Sequence, residues 1–106
     1  MVTGMGTMGL LAVHFLKNYY KVKQVDIVEP DIYRHKDALS FGVTNIFKPS
    51  EFIGNIYDFG IECSARNKAF GVLQKVIKHK GEICILSDGN KEEFILMPLT
   101  LHKRYF

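Results

Sequence analysis

The glycines at positions 4, 6 and 9 of "VTGMGTMGLLAVHFL" carry the spacing that a phosphate cradle needs. Each has its own task. Gly4 allows a tight turn, Gly6 lets the backbone approach a pyrophosphate with no side chain between them, and Gly9 lets the following helix lie close to its strand. The backbone N–H groups of Thr7 and Met8 would then face phosphate from the positive end of that helix. Spaced glycines also occur in plain turns, so a second feature has to support them. Glu29 stands twenty residues after Gly9, at the end of the next apolar run. A carboxylate there accepts hydrogen bonds from adenosine ribose hydroxyls and repels a 2′-phosphate, which favours NAD over NADP.

Such a loop works only between a strand and a helix, and the apolar pattern provides both. Met8, Leu11, Ala12, Phe15, Leu16 and Tyr19 fall on one helical face, with Lys17 and Asn18 turned away, which predicts a helix packed on a sheet. Val25 to Val28, stopped by Pro30, is a buried strand. "DIYRHKDALSFG" is a short helix closed by Gly42, "VTNIF" a third strand, and "KPSEFIGNIYDFG" a loop with one helical turn. "DFGIECS" is a fourth strand. Arg66 to His79 is a helix whose Ala69, Leu73, Val76 and Ile77 share a face, and Gly81 is its stop. "EICILS" is a fifth strand and "KRYF" begins a sixth. This alternation predicts an α/β domain over residues 1–106: a Rossmann-type, doubly wound parallel sheet of about five to six strands, helices on both faces. Only Met1 to Thr3 precede Gly4 and the chain stops at Phe106, so the first and last strands are expected to be truncated.

Composition narrows the partners. A chain of 106 residues with 47% hydrophobic and 24% charged residues has the make-up of one small globular domain. Its formal charge of +3 is spread along the chain, which argues against nucleic acid. Lys75, Lys78 and Lys80, with Lys103 and Arg104, read as solvated positions. Cys63 and Cys84 lie in apolar runs without C-x-x-C spacing and read as buried free thiols of a reducing compartment. No apolar run reaches the ~18 residues of a membrane span, and the apolar start has no basic leader. A cytoplasmic location follows as the expectation.

The order "GMGTMGLLAV…VDIVEPDIYRHKDALSFGVTNIFKP…YDFGIECSA…GVLQKVIKHKGEICILS" resembles the cofactor domain of the medium-chain dehydrogenases, the zinc-type alcohol, sorbitol and threonine dehydrogenase group. The likeness covers nearly the whole chain. Its more specific parts are the thirteen-residue interval from Glu29 to Gly42 and the "DFGIECS" strand followed by a helix and "GEICIL". The resemblance implies that Glu29 holds the ribose, that Arg34 packs beside the adenosine, and that two loops, Cys63–Ser64–Ala65 and Leu86–Ser87–Asp88, pass along the NAD. Ala65 and Ser87 stand where the family usually has glycine, which narrows the space there.

The resemblance also implies a separate catalytic domain, absent from this chain, that supplies zinc ligands and a proton relay to an alcohol or ketone. His14, His35, His79 and His102 are too scattered to suggest a zinc site, and Ser64 and Ser87 have no partner suggesting a nucleophile. Two other classes use a Gly-rich loop and a strand-end acid: a regulatory nucleotide-sensing domain without catalysis, and an S-adenosylmethionine-dependent methyltransferase. Family likeness further implies a homodimer or tetramer joined through the C-terminal edge strand, where Leu99, Leu101, Tyr105 and Phe106 form an apolar rim beside Lys103 and Arg104. Purified 1–106 is expected to oxidise no ethanol, sorbitol or threonine, with or without added zinc; zinc-dependent NADH formation above the protein-free blank would contradict this.

Overall fold

Val2 and Thr3 are both buried, and this two-residue strand, β1, is the centre of the sheet. The computed structural model describes residues 1–51, 53–87, 92–97 and 103–106. After β1 come α1 (Thr7–His14), which runs on into a π-helical turn at Phe15–Tyr19, and β2 (Asp26–Val28). A 3₁₀ turn at Ile32–Arg34 leads into α2 (His35–Ser40), then β3 (Asn45–Phe47). β4 (Tyr57–Glu62), α3 (Asn67–Val76), β5 (Ile77–Ile85) and β6 (Arg104–Tyr105) complete the order. The strands lie in the order β3-β2-β1-β4-β5-β6 and every pairing is parallel. The chain therefore winds outward from β1 in one direction, returns, and winds outward in the other. That is the doubly wound architecture expected from the alternation.

Side-chain alternation splits the core into two layers. Val2 and Ile27 point to the side of α1 and α2, with Met5, Val13, Val25, Ala38 and Val43. Met1 and Val28 point the other way, toward Phe70, Leu73, Val76, Ile77 and Ile83 around α3. Each fully buried Leu, Ile or Phe contributes about 2 kcal/mol of transfer free energy, so each layer depends on a handful of side chains. At the lower end of the strands, Asp26 accepts hydrogen bonds from Tyr57 Oη, Gln24 Nε2 (2.8 Å) and Asn45 Nδ2 (3.0 Å), joining β2, β3 and β4. Burial, then that bond, pushes the Tyr57 phenol well above its ordinary range.

Four expectations need correction. The buried stripe of α1 is Gly9 and Val13, flanked by Leu10, Ala12 and Leu16, whereas Met8, Leu11, Phe15 and Tyr19 are 45–72% exposed. Nearly every residue of this helix is apolar, so periodicity could not choose the face; the close approach at Gly9 does. The helix of 66–79 ends at Val76. Ile77, fully buried, takes an extended conformation and pairs with Tyr57, and Ile56 N–H donates to Val76 O at 3.0 Å. Residues 78–81 then bulge before Glu82 pairs with Phe59, so Gly81 lies within β5 and is no helix stop. A Cβ at 81 would sit 2.5 Å from Ile77 Cγ2 and 2.9 Å from Asp58 O, which leaves room for glycine alone. The segment after β3 makes a turn, with Glu51 N–H donating to Lys48 O, and holds no helix among its described residues. Lys103, read as solvated, is buried at 6% exposure; Leu99 and Leu101 lie outside the described residues.

The Met1 amine donates to Phe59 O at 3.0 Å, and burial, opposed by the charges of Asp26 and Asp58, lowers its pKa from 8.0 to about 6. The unfolded chain therefore binds more protons between those values, and stability rises with pH across the interval. Urea denaturation should give an unfolding free energy greater by about 2 to 3 kcal/mol at pH 8.5 than at pH 5.5 from this group. N-terminally acetylated chain should lose that increment, and an identical slope in both forms would refute it.

Candidate functional site

The carboxyl ends of β1, β2, β4 and β5 meet at one edge of the sheet, and the sequence-predicted residues gather there. Gly4 leaves β1 at φ +84°, its N–H donating to Val28 O at 2.9 Å. A Cβ on it would meet the Ser64 backbone at 2.8 Å, so glycine is required both by conformation and by space. Gly9 is tighter still: its Cβ would lie 1.7 Å from Gly4 O. Gly6 is the N-cap of α1 and offers no side-chain acceptor, and the first turn contains no acid. The amides of Thr7 and Met8 thus begin an exposed helix end with no internal anion.

Glu29, expected as a strand-end acid, is only 5% exposed because it binds the loop. Oε1 accepts Met5 N–H at 2.8 Å, and Oε2 accepts Asp31 N–H at 3.0 Å. Each oxygen keeps a second lone pair, so the carboxylate can still accept from a diol. Arg34, half exposed, places Nη1 4.0 Å from Glu29 Oε1 and Nε 3.6 Å from Asp31 Oδ2. The same Nη1 lies 3.1 Å from where a Gly6 Cβ would be, so the guanidinium overhangs the loop. His35 bonds through Nε2 to Glu29 O at 2.8 Å, holding the chain that carries Arg34.

Across β1, sequence reasoning missed the central residue. Glu62, the last of β4, is fully buried and gathers the loops that carry the other candidates. Its Oε1 accepts from Thr3 Oγ1 (3.0 Å), Ser64 N–H (2.7 Å) and Ser64 Oγ, and its Oε2 from Ala65 N–H (3.2 Å) and Ser87 Oγ. Its carbonyl oxygen also accepts from the N–H groups of Leu86 and Ser87. The signal available was an acid inside an apolar strand with serines at two strand ends. Ala65, at φ +59°, occupies the left-handed conformation that glycine prefers, and Ser87 turns its hydroxyl to Glu62. Cys63 donates its N–H to Thr3 O, and its thiol is pushed up to about 12, first by burial and then by the neighbouring charge of Glu62. Asp88 lies outside the described residues.

Both cysteines are free. Among the described residues no group of three or more His, Cys, Asp or Glu side chains could hold a metal ion, and no helix is long and apolar enough to cross a membrane. A cavity of about 550 Å³ lies elsewhere, lined by Leu16, Phe59, Ile61 and Phe106 together with the polar Gln24, Asp58 and Glu82, and none of Gly4, Gly6 and Gly9 lines it.

No family model matches the sequence, and no curated protein matches it. Solved structures do. L-idonate 5-dehydrogenase from Escherichia coli is similar at TM-score 0.81 and 16% identity, covering 98% of this chain and 33% of that one. A protein described as a short chain alcohol dehydrogenase from E. coli CFT073, complexed with NADH, gives TM-score 0.83 and 18% identity, over 99% of this chain and 34% of that one. CAD from Helicobacter pylori, complexed with NADP(H), gives TM-score 0.75 and 17% identity, over 99% and 31%. The neighbours are the zinc-binding, alcohol and polyol dehydrogenases that the sequence resembles. At these identities the likeness is one of fold, and this chain spans about a third of their length.

Gly9→Ala tests the loop. The 1.7 Å overlap forces α1 away from β1, and a loss of about 3 kcal/mol is expected. Chemical denaturation measures it, and a change below about 0.5 kcal/mol would show that the helix docks differently.

Proposed function

We propose that residues 1–106 form the NAD(H)-binding domain of a medium-chain alcohol or polyol dehydrogenase, cytoplasmic, whose zinc and catalytic groups belong to a separate domain. The observation that carries this reading is the pairing of the Gly4–Gly6–Gly9 loop with the Glu29 carboxylate that grips it. The fit to a dinucleotide is good on three counts. A cradle that any Cβ would fill lies at the start of a helix with no capping acid. A carboxylate with free lone pairs stands one strand away, and a guanidinium overhangs the space between them. When bound, the cofactor supplies the acceptor or donor of a hydride exchanged with the carbon of a secondary alcohol or ketone. This chain's own residues bind and orient. The amides of Thr7 and Met8 hold pyrophosphate, Glu29 holds the adenosine ribose, Arg34 lies beside the adenosine, and the backbones of Cys63–Ala65 and Leu86–Ser87 form the wall for the second nucleoside. Fold neighbours crystallised with NADH and with NADP(H) support a nicotinamide dinucleotide as the ligand class. We extend the proposal to assembly as a homodimer or tetramer through the edge containing Arg104 and Tyr105, since β6 pairs with β5 on one side and exposes Phe106.

Titration of the chain with NADH, NADPH and S-adenosylmethionine tests the reading. NADH should bind most tightly, because a buried carboxylate at the ribose repels a 2′-phosphate. Glu29→Ser should shift the NADPH-to-NADH preference by about tenfold toward NADPH, aided by Arg34, the cost of about 1.4 kcal/mol being that of one charge contact. Equal binding of the two cofactors by the unmodified chain, or no shift in the variant, would remove Glu29 from the ribose.

A further inference from the structure

The proposed dinucleotide reading fixes a direction across the crevice. Adenosine lies at β2, where Glu29 stands, and pyrophosphate at the start of α1 beyond β1. The second nucleoside must then extend over the ends of β4 and β5, the other wing of the doubly wound sheet. The buried group beneath that wing is Glu62. Its partners are two backbone amides and the hydroxyls of Thr3, Ser64 and Ser87, all of them uncharged. Among the described residues, the ion pairs formed by acidic side chains involve Glu29, Asp31, Glu92 and Asp58, and none reaches Glu62. Five donors, two amides and three hydroxyls, converge on its two oxygens. Among the described residues, the carboxylate is thus held by uncharged donors and no ion pair reaches it. Glu29 differs, because Arg34 lies 4.0 Å away.

We infer that Glu62 is a positioning residue with an electrostatic bias: it ties the ends of β1, β4 and β5 into one rim and favours the cationic, oxidised nicotinamide over the neutral, reduced ring. The inference rests on the dinucleotide reading above. Oxidised nicotinamide carries one positive charge, and uptake of a hydride cancels it, so a fixed anion nearby acts on the difference between the two forms. Through roughly 10 Å of partly wet protein, removing such a charge changes the relative affinity by about threefold to tenfold.

The experiment uses the 106-residue chain, with NAD⁺ and NADH titrated by calorimetry into wild type, Glu62→Gln and Glu62→Asp. The preference for NAD⁺ relative to NADH should fall about threefold to tenfold in E62Q and stay within about twofold of wild type in E62D, which keeps the charge. A purely structural Glu62 would weaken both cofactors alike and leave their ratio unchanged in E62Q, and that result overturns the inference while the dinucleotide reading stands. Failure of wild type to bind either cofactor overturns both. Should circular dichroism show E62Q unfolded, wild type decides alone with oxidised and reduced nicotinamide mononucleotide. The chain's overall charge of +3 attracts the more negative reduced form, so tighter binding of the oxidised form reports the local anion, and equal or reversed affinity refutes it.

Discussion

Everything at the upper edge of the sheet depends on one close approach, that of α1 to the end of β1. The Gly4 carbonyl occupies the volume where residue 9 would otherwise carry a Cβ. This contact sets the helix angle, selects Gly9 and Val13 as the buried stripe, and aims the first-turn amides over the strand ends. It also brings Met5 N–H to Glu29, so that the acid at the end of β2 is oriented by the loop it serves. Arg34 adds to these constraints, because its guanidinium lies 3.1 Å from where a side chain at residue 6 would begin. Gly4 and Gly9 thus act as a single mechanical element, each closed to a Cβ by the backbone around it.

Two buried carboxylates flank that element, one on each side of β1. Burying an ionised carboxyl group is costly unless its hydration is replaced, and both are resolvated by donors from the loops they organise. Glu29 receives the amides of Met5 and Asp31; Glu62 receives amides and hydroxyls from three strand ends. The two differ in what lies above them. A guanidinium leans over Glu29, while the described hydrogen-bond partners of Glu62 are all uncharged. The crevice is therefore polarised along its length, a property invisible to any view that counts glycines alone.

What could be read from the chain divides along a physical line. The turn at Gly4 and the close approach at Gly9 were legible because backbone geometry admits few residue types there and their spacing is short. The parallel order of strands was legible from alternation, and even the two-residue β6 at Arg104–Tyr105 was anticipated. The face of α1 was not, since a helix that is apolar all round has no preferred side until it meets its neighbour. The end of α3 was misplaced because Ile77 satisfies the helical stripe and the strand equally well; pairing with Tyr57, a long-range contact, decides it. Glu62 was overlooked for the same reason. Its partners come from residues 3, 64, 65 and 87, and no local pattern announces a meeting of that kind.

The central strand has a consequence for how the chain acquires its shape. Val2 pairs with Ile27 on one side and with Ile61 on the other, and Thr3 bonds Glu62. Residues 2 and 3 thus gain their second neighbour only when residues 57–62 reach the sheet. Two residues cannot hold a ladder unaided, and each parallel pairing requires a crossover to close first, at an entropic cost repaid only on docking. Local helices can flicker early, but the sheet has no centre until β4 arrives. The middle of this sheet is accordingly a product of contacts distant in sequence, and the two wings are joined only when both have closed on β1.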